Sequence, residues 1–452
     1  GALPHTAGLG SVKSQIGHTK CAAGIAGFIK VAKALHHKVL PPTLNIEKPN
    51  AGYDALHSPF MLNRAPMPWP VAEARGAVSA FGFGGTNFHA VLSAYAGGRQ
   101  PVTSGVAKWM AELFLFRGET FDAAAKHMQQ LGKFLRESDA ALNLRDIAYT
   151  VADLGEGPVQ CSIVARDVAD LIFKLECAHL REKQEGVHYR QNEVHGKLAF
   201  VFPGQGSQSP GMLQDIFVTF PALQEILVHG AAWRDKMFPP TAYTREQQQQ
   251  QQRAITDTRI AQPTLGMANY AMATLLQSMN IKPDMLAGHS YGELVALAIA
   301  GCYDLPELLR LSELRGISIL DAAGEDPGRM AAVSEGRAVL EEFFKPESGV
   351  VLANQNSPTQ TVISGTAKAI EAALAGLKEK GIAARPIEVA CAFHSPVVAG
   401  AEKTFTQILD GVALRTPAMA VYSNVSAQPY PADAKGIKRQ LAAQIVSPVR
   451  FV

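Results

Sequence analysis

Two hydrophobic periodicities alternate along this chain. Short apolar runs rich in β-branched and aromatic residues give way to longer segments whose apolar positions recur every three to four residues. The first kind predicts buried strands and the second amphipathic helices, and their alternation predicts an α/β fold. Over residues 97–196, opened by the polar Gly97-Gly98-Arg99-Gln100-Pro101, the pattern predicts a strand at 112–116 and helices at 121–137 and around 146–151. A strand at 160–164 and a charged helix at 168–185 complete a small α/β unit. From about 322 to 389 the order is strand, helix, strand, strand, helix, strand, at 330–333, 338–344, 350–353, 360–364, 367–380 and 384–388. That split β-α-β order predicts a ferredoxin-like subdomain. Residues 197–321 together with 390–452 are expected to form an α/β hydrolase-like core around it, with the site in the cleft between the two.

The candidate chemistry begins where an apolar run meets a helix-forming one. Gly288-His289-Ser290-Tyr291-Gly292-Glu293 is a G-x-S-x-G element between Leu286-Ala287 and the helical run 295–300. It places Ser290 on a strand-to-helix turn, where the hydroxyl is exposed and the first N–H groups of the helix stabilise negative charge. The same string also occurs as an ordinary turn, so its surroundings decide. Upstream, Phe200-Val201-Phe202-Pro203-Gly204-Gln205-Gly206-Ser207-Gln208 is a strand breaking into a glycine-flanked loop. Such a loop can offer a second N–H, beside that of Tyr291, to an oxyanion.

A serine nucleophile needs a base from elsewhere in the chain. Of the 13 histidines, His36, His37, His127 and His179 sit in amphipathic or charged stretches, whereas His394 lies at the breaker-rich junction Ala392-Phe393-His394-Ser395-Pro396. Arg310 and Arg315 share an amphipathic helical segment but face different ways. An inward arginine there would pair with a substrate carboxylate, while an outward one would be a solvated surface residue.

These elements, with Met330-Ala331-Ala332-Val333, the run from Asn354-Gln355-Asn356 to Ser364-Gly365, and Gln444-Ile445-Val446-Ser447-Pro448, resemble the malonyl-CoA:acyl-carrier-protein acyltransferase family in order and spacing. The resemblance covers residues 197–452. It implies Ser290 as nucleophile, His394 as its base and Arg315 as the clamp on the malonyl carboxylate. It further implies oxyanion N–H groups from Gln205 and Tyr291, a backbone carbonyl of Gln444 that orients the histidine, and pocket positions at His289 and Asn356. Phe393 before the histidine matches members that take malonyl rather than a branched extender. Cys391 replaces a histidine frequent in that pattern.

Residues 1–96 differ in kind. Lys13-Ser14-Gln15-Ile16-Gly17-His18-Thr19-Lys20, a small apolar helix from Cys21 to Leu35, and Phe81-Gly82-Phe83-Gly84-Gly85-Thr86-Asn87 resemble the C-terminal end of a β-ketoacyl synthase. Lys13 and His18 match active-site positions of that family, whose nucleophilic cysteine and first histidine are expected upstream of Gly1. This end is therefore expected to be a remnant, unable to condense anything alone, with Cys21 packing in its helix. By position, residues 97–196 resemble the linker that joins ketosynthase to acyltransferase, and no catalytic constellation is read in them.

The parent implied is an iterative megasynthase, either a polyunsaturated fatty acid synthase or an enediyne-type polyketide synthase. Its partners would be malonyl-CoA, an acyl carrier protein bearing phosphopantetheine, and the rest of the polypeptide, with no bound cofactor. A serine thioesterase-type hydrolase and a non-catalytic docking fragment are the alternatives. A net charge of +2 with 18% charged residues and no basic stripe argues against nucleic acid. Five cysteines without a C-x-x-C pair suggest a reducing compartment and no structural metal. No apolar run spans a bilayer and no signal pattern opens the chain, so a cytoplasmic, non-membrane setting is expected. The glutamine run 247–252 is read as a solvated loop or helix end.

Overall fold

Strands and helices alternate as the periodicities predict in the computed structural model, which describes residues 3–71, 73–95, 109–190, 196–324 and 326–452. The proposed opening of the linker, Gly97 to Pro101, lies outside the described residues. Packing divides the chain into two units, Gly1–Gly105 with Lys197–Val452, and Val106–Gly196.

In the smaller unit, strands Glu112–Arg117, Val159–Ala165 and Val187–Tyr189 form an antiparallel sheet. Helices Phe121–Glu137, Leu144–Asp153 and Val168–His179 begin at Thr120, Asn143 and Asp167, whose side chains each accept a first-turn N–H. Phe114, Phe116, Met128, Ile163 and Leu171 fill the interior. The helix expected over 168–185 ends at His179. The chain turns at Arg181, with φ +55°, and then adds the strand Val187–Tyr189, whose three residues are too short for a period-two pattern to stand out.

In the larger unit, the first segment supplies helix Ala23–His37 and the hairpin of Arg75–Phe81 with Asn87–Ser93. Cys21 lies in a short 3-10 turn ahead of the helix and is exposed, so it does not pack as expected. The segment is joined to residues 197–452 by Gln214 Nε2 donating to Pro66 O (2.7 Å) and Gln224 Nε2 to Lys38 O (3.0 Å), and by Met67 entering the main apolar core.

Residues 197–452 carry two sheets. β1 (Ala199–Phe202), β2 (Met285–Gly288) and β7 (Ala420–Tyr422) are parallel with β2 in the middle. After β1 come α1 (Arg245–Thr256) and α2 (Thr258–Ser278); after β2 come α3 (Gly292–Ile299) and α4 (Leu305–Ala323). α3 is buried along nearly its whole length, as its continuous apolar sequence requires. The glutamine run 247–252 is neither loop nor helix end: it lies inside α1, which a Thr244/Gln247 capping box starts.

The second sheet takes β3 (Arg329–Val333), β4 (Val350–Ser357), β5 (Gln360–Gly365) and β6 (Ala384–Ile387) in the order β6-β3-β5-β4, all antiparallel. α5 (Arg337–Phe343) and α6 (Ala367–Glu379) connect them. After α7 (Ala399–Asp410), β7 and α8 (Ala434–Ala443), the chain returns and lays β8 (Val449–Arg450) parallel to β4. The last segment therefore stitches the two sheets together, and residues 444–448 run between them.

Candidate active site

Ser290 sits at the turn between β2 and α3 with φ +50°, a left-handed conformation that serine seldom adopts. The turn is tight enough that a Cβ on Gly288 would fall within the backbone of Gly292 and Glu293. Gly288→Ala is accordingly expected to destabilise the fold by about 1–3 kcal/mol or more, as overpacking does. A urea midpoint equal to that of the parent protein would show that the turn can relax. The loop after β1 closes on the same place: a Cβ on Gly204 would strike the carbonyl oxygen of His289. Gln205, next in that loop, donates through Nε2 to Thr258 Oγ1 at the head of α2 (3.1 Å). Tyr291 caps α3, so its N–H is among those that no intrahelical carbonyl reaches. Its side chain is fully buried, with the hydroxyl 2.7 Å from Ser312 Oγ.

His394 also has a left-handed backbone (φ +55°) and lies in the loop that follows β6. Its Nε2 is 2.7 Å from Ser290 Oγ. Its Nδ1 faces two backbone carbonyls, Gln444 O at 3.1 Å and Ser447 O at 2.9 Å. Carbonyls only accept, so Nδ1 carries the proton and Nε2 presents its lone pair to the serine hydroxyl. Burial, then the charge of Arg315 and the neighbouring His289, hold the imidazole pKa down at about 3. The ring is therefore neutral at pH 7, with the Nε2 lone pair turned to the serine hydroxyl.

Arg315 projects inward from α4 and is 2% exposed. Nη2 donates to Gln444 Oε1 (3.0 Å), while Nε is buried without a protein partner. Burial lowers the guanidinium to about 10, which leaves it charged at neutral pH. Arg310, the other candidate on this helix, is exposed and bonded to Glu307. Gln444 thus meets both side chains, its backbone carbonyl accepting from His394 and its amide oxygen from Arg315.

His289 Nε2 is 2.8 Å from Asn356 Oδ1, and its ring meets Phe451 edge-on at 5.3 Å. Phe393 is half-buried between the main core and the small cluster under β3 and β5. Cys391 is fully buried in the main apolar core, and desolvation pushes its thiol up to about 12, so it stays a protonated packing residue. The residues brought together are therefore Ser290, His394, Arg315, Gln444, Tyr291, Gln205, His289, Asn356 and Phe393. Lys13 and His18 are not part of this cluster: both are exposed on the first segment, where His18 Nδ1 accepts the N–H of Lys20 (3.0 Å).

Several contributors escaped the sequence reading. Ser447 shares the histidine's Nδ1 with Gln444. Asn424, at the C-terminal end of β7, accepts the N–H of Ser290 (2.7 Å) and donates to Gly288 O (2.8 Å). Glu293 is fully buried, accepts the N–H of Asn424 and takes the Tyr430 hydroxyl at 2.6 Å. Burial raises its carboxyl to about 7 against those two hydrogen bonds. A signal for Glu293 was present, since it is a charge at the head of an otherwise apolar helix. Ser423-Asn424 is likewise a polar pair at the carboxyl end of a core strand, where ligand-facing groups of α/β sheets collect. Among the described residues no helix is long and apolar enough to cross a membrane, and no cluster of three or more His, Cys, Asp or Glu could hold a metal.

Comparison with known proteins bears on the whole arrangement. The family model for the acyl transferase domain matches residues 199–452, that for the C-terminal domain of β-ketoacyl synthase residues 2–47, and that for the ketoacyl-synthetase C-terminal extension residues 49–153. A polyunsaturated fatty acid synthase from Thraustochytrium sp. is 32% identical over 98% of this chain, and polyketide synthase GfsE of Streptomyces halstedii 32% over 93%. The chain spans only 17% and 11% of their respective lengths. Among solved structures, the acyltransferase domain from module 8 of the salinomycin polyketide synthase shares the fold, with a TM-score of 0.62 and 24% identity over 76% of this chain and 81% of that one. The malonyl CoA-acyl carrier protein transacylase of Coxiella burnetii is 30% identical, with a TM-score of 0.51 over 56% of this chain and 81% of its own. With its serine turn, neutral histidine and buried arginine set in the segment that the family model matches, this chain belongs to the acyl transferase domain family, preceded by a ketoacyl-synthase C-terminal segment and its extension.

Proposed function

We propose that this chain moves a malonyl group from malonyl-CoA, through an ester on Ser290, to the phosphopantetheine thiol of an acyl carrier protein. Ser290 Oγ attacks the thioester carbonyl while its proton passes to His394 Nε2. The N–H groups of Gln205 and Tyr291 receive the negative charge on the carbonyl oxygen. When the C–S bond breaks, His394 returns the proton to the departing coenzyme A sulfur. In the second half the carrier thiol gives its proton to His394 and attacks the ester, and Ser290 recovers its hydroxyl.

The observation that carries this reading is Arg315, a buried cation with an unpartnered Nε on the helix that follows the serine's own. A free carboxylate on the acyl group could accept from that Nε–H in a charge-assisted pair. Phe393, half-buried beside His394, supports an unbranched malonyl unit, and His289 held by Asn356 supports a fixed pocket wall. The orienting groups on His394 are backbone carbonyls, which supports a serine-histidine dyad.

The accompanying division is a ketosynthase remnant over 1–96, a linker over 97–196 and the acyltransferase over 197–452. The latter has an α/β hydrolase-like core, and the strand order β6-β3-β5-β4 supports a ferredoxin-like subdomain over 322–389. A polyunsaturated fatty acid or polyketide synthase is the parent that fits, working on coenzyme A thioesters in the cytoplasm without a bound cofactor of its own. The test is intact-mass measurement after incubation with malonyl-CoA. A malonyl adduct is expected on the parent protein and none on Ser290→Ala; an undiminished adduct on the variant would remove Ser290 from the role.

A further inference from the structure

One side chain bridges the backbone of the strained turn that presents Ser290. Asn424 reaches it with both arms of its amide: Oδ1 accepts the Ser290 N–H at 2.7 Å and Nδ2 donates to the Gly288 carbonyl at 2.8 Å. It therefore spans the turn from the last residue of β2 to the nucleophile itself. Asn424 is 3% exposed, so these two backbone groups have no ready solvent to replace it. The brace is anchored in its turn. The Asn424 N–H donates to Glu293 Oε1, and Glu293 Oε2 accepts from the Tyr430 hydroxyl at 2.6 Å. Glu293 stands in the first turn of α3, three residues past the serine, and is fully buried. A carboxylate in that position is expensive, and both its oxygens point at protein groups and not at a substrate.

We infer that Asn424 is a positioning residue for the nucleophile, and that Glu293 with Tyr430 sets Asn424, so that the head of α3, the end of β7 and the serine turn are locked as one piece. The inference rests on the reading of Ser290 as the acylated residue. Its physical content is that Ser290 has no intrinsic reason to stay at φ +50°. The two hydrogen bonds from Asn424 hold it there, with Oγ in line with His394 Nε2.

The test is acylation kinetics on variants of the full chain, with malonyl-CoA and, separately, with a small uncharged sulfonyl fluoride. The second probe uses neither Arg315 nor a coenzyme A site, so it reports the geometry of Ser290 and His394 alone. Asn424→Ala is expected to lose roughly a hundredfold in the acylation rate, the size of effect that a displacement of about 1 Å produces. The loss is expected in kcat with KM unmoved, and by a similar factor with both probes. Glu293→Ala is expected to fall in the same way, and the double variant no further than Asn424→Ala, because the two act through one contact. Glu293→Gln is expected to restore most of the rate: it keeps an acceptor for Asn424, and the Tyr430 hydroxyl can turn to accept from its amide. If Asn424→Ala does not fold, Tyr430→Phe replaces it, with a several-fold fall expected in the same rate constant. A folded Asn424→Ala or Tyr430→Phe that acylates at the parent rate, a loss confined to KM, or full additivity in the double variant would each overturn the inference. An adduct persisting on Ser290→Ala would instead overturn the reading on which it rests.

Discussion

Replacing His394 by alanine is expected to slow the acylation of Ser290 by roughly a hundred- to ten-thousand-fold, the range over which a positioned general base contributes. The imidazole accepts the serine hydroxyl at 2.7 Å, and its other nitrogen is tied to Gln444 O and Ser447 O, so its lone pair can point nowhere else. His394→Asn is the useful companion, because asparagine tolerates the left-handed backbone and separates the lost base from backbone strain. Both variants are expected to be slow; a near-parent rate in either would move the base to another residue.

The pH profile adds a second signature. A solvated histidine would lose activity as pH falls through about 6.5. Here burial, Arg315 and His289 depress the folded pKa to about 3, so the base stays neutral well below that point. Inactivation by an uncharged sulfonyl fluoride is therefore expected to stay flat from about pH 8 to about pH 5. Stability behaves differently. The unfolded chain binds this proton as pH drops below about 6.5 while the folded one refuses it, so the His394 contribution to stability is present above that pH and is lost on acidification. An activity inflection near 6.5 that persists in folded Glu293→Gln, which lacks the carboxyl titrating at about 7, would contradict the burial argument.

Arg315→Ala is the second large expectation, and it tests selectivity and not speed alone. In the parent protein a malonyl carboxylate would meet a buried guanidinium whose Nε has no protein partner. Truncation leaves that carboxylate unpaired in a desolvated site, at about 3–5 kcal/mol, which is roughly two to four powers of ten in rate. Acetyl-CoA never used the pair, and in the variant its acyl group no longer lies beside an unneutralised cation. Its rate is expected to hold or rise. The ratio of second-order rate constants for malonyl-CoA over acetyl-CoA is thus expected to reverse direction between parent and variant. Equal losses for both substrates would make Arg315 structural, and Arg310 could not take its place, since it is exposed and paired with Glu307.

Much of the site was legible in the sequence because its chemistry is written locally. A serine between two close glycines, an apolar strand before it and an apolar helix after it predict a strand-to-helix turn that exposes the hydroxyl. The strand-helix order of the smaller unit and of residues 329–387 could be read in the same way, since hydrophobic periodicity reaches only a few residues. The misreadings have local causes too. Val187–Tyr189 is too short for an alternation to register, and the glutamine run lies in a helix because the Thr244/Gln247 box starts that helix while the run itself carries no apolar stripe.

What the sequence by itself determined was the kind of chemistry and the residues to be proposed for it: Ser290 on its turn, a histidine at a loop junction, and an arginine on an amphipathic helix whose inward face it left open. Tertiary structure alone decided which partners make those groups work. Asn424 meets Ser290 across 134 positions, Tyr430 meets Glu293 across 137, and Ser447 meets His394 across 53. Such pairs leave no periodic trace, because they arise where two sheets and the returning strand Val449–Arg450 pack against one another. Burial then gives the same side chains their properties, a neutral histidine and a cation with an N–H donor that no protein group accepts, through a desolvation that exists only once the chain has closed around them.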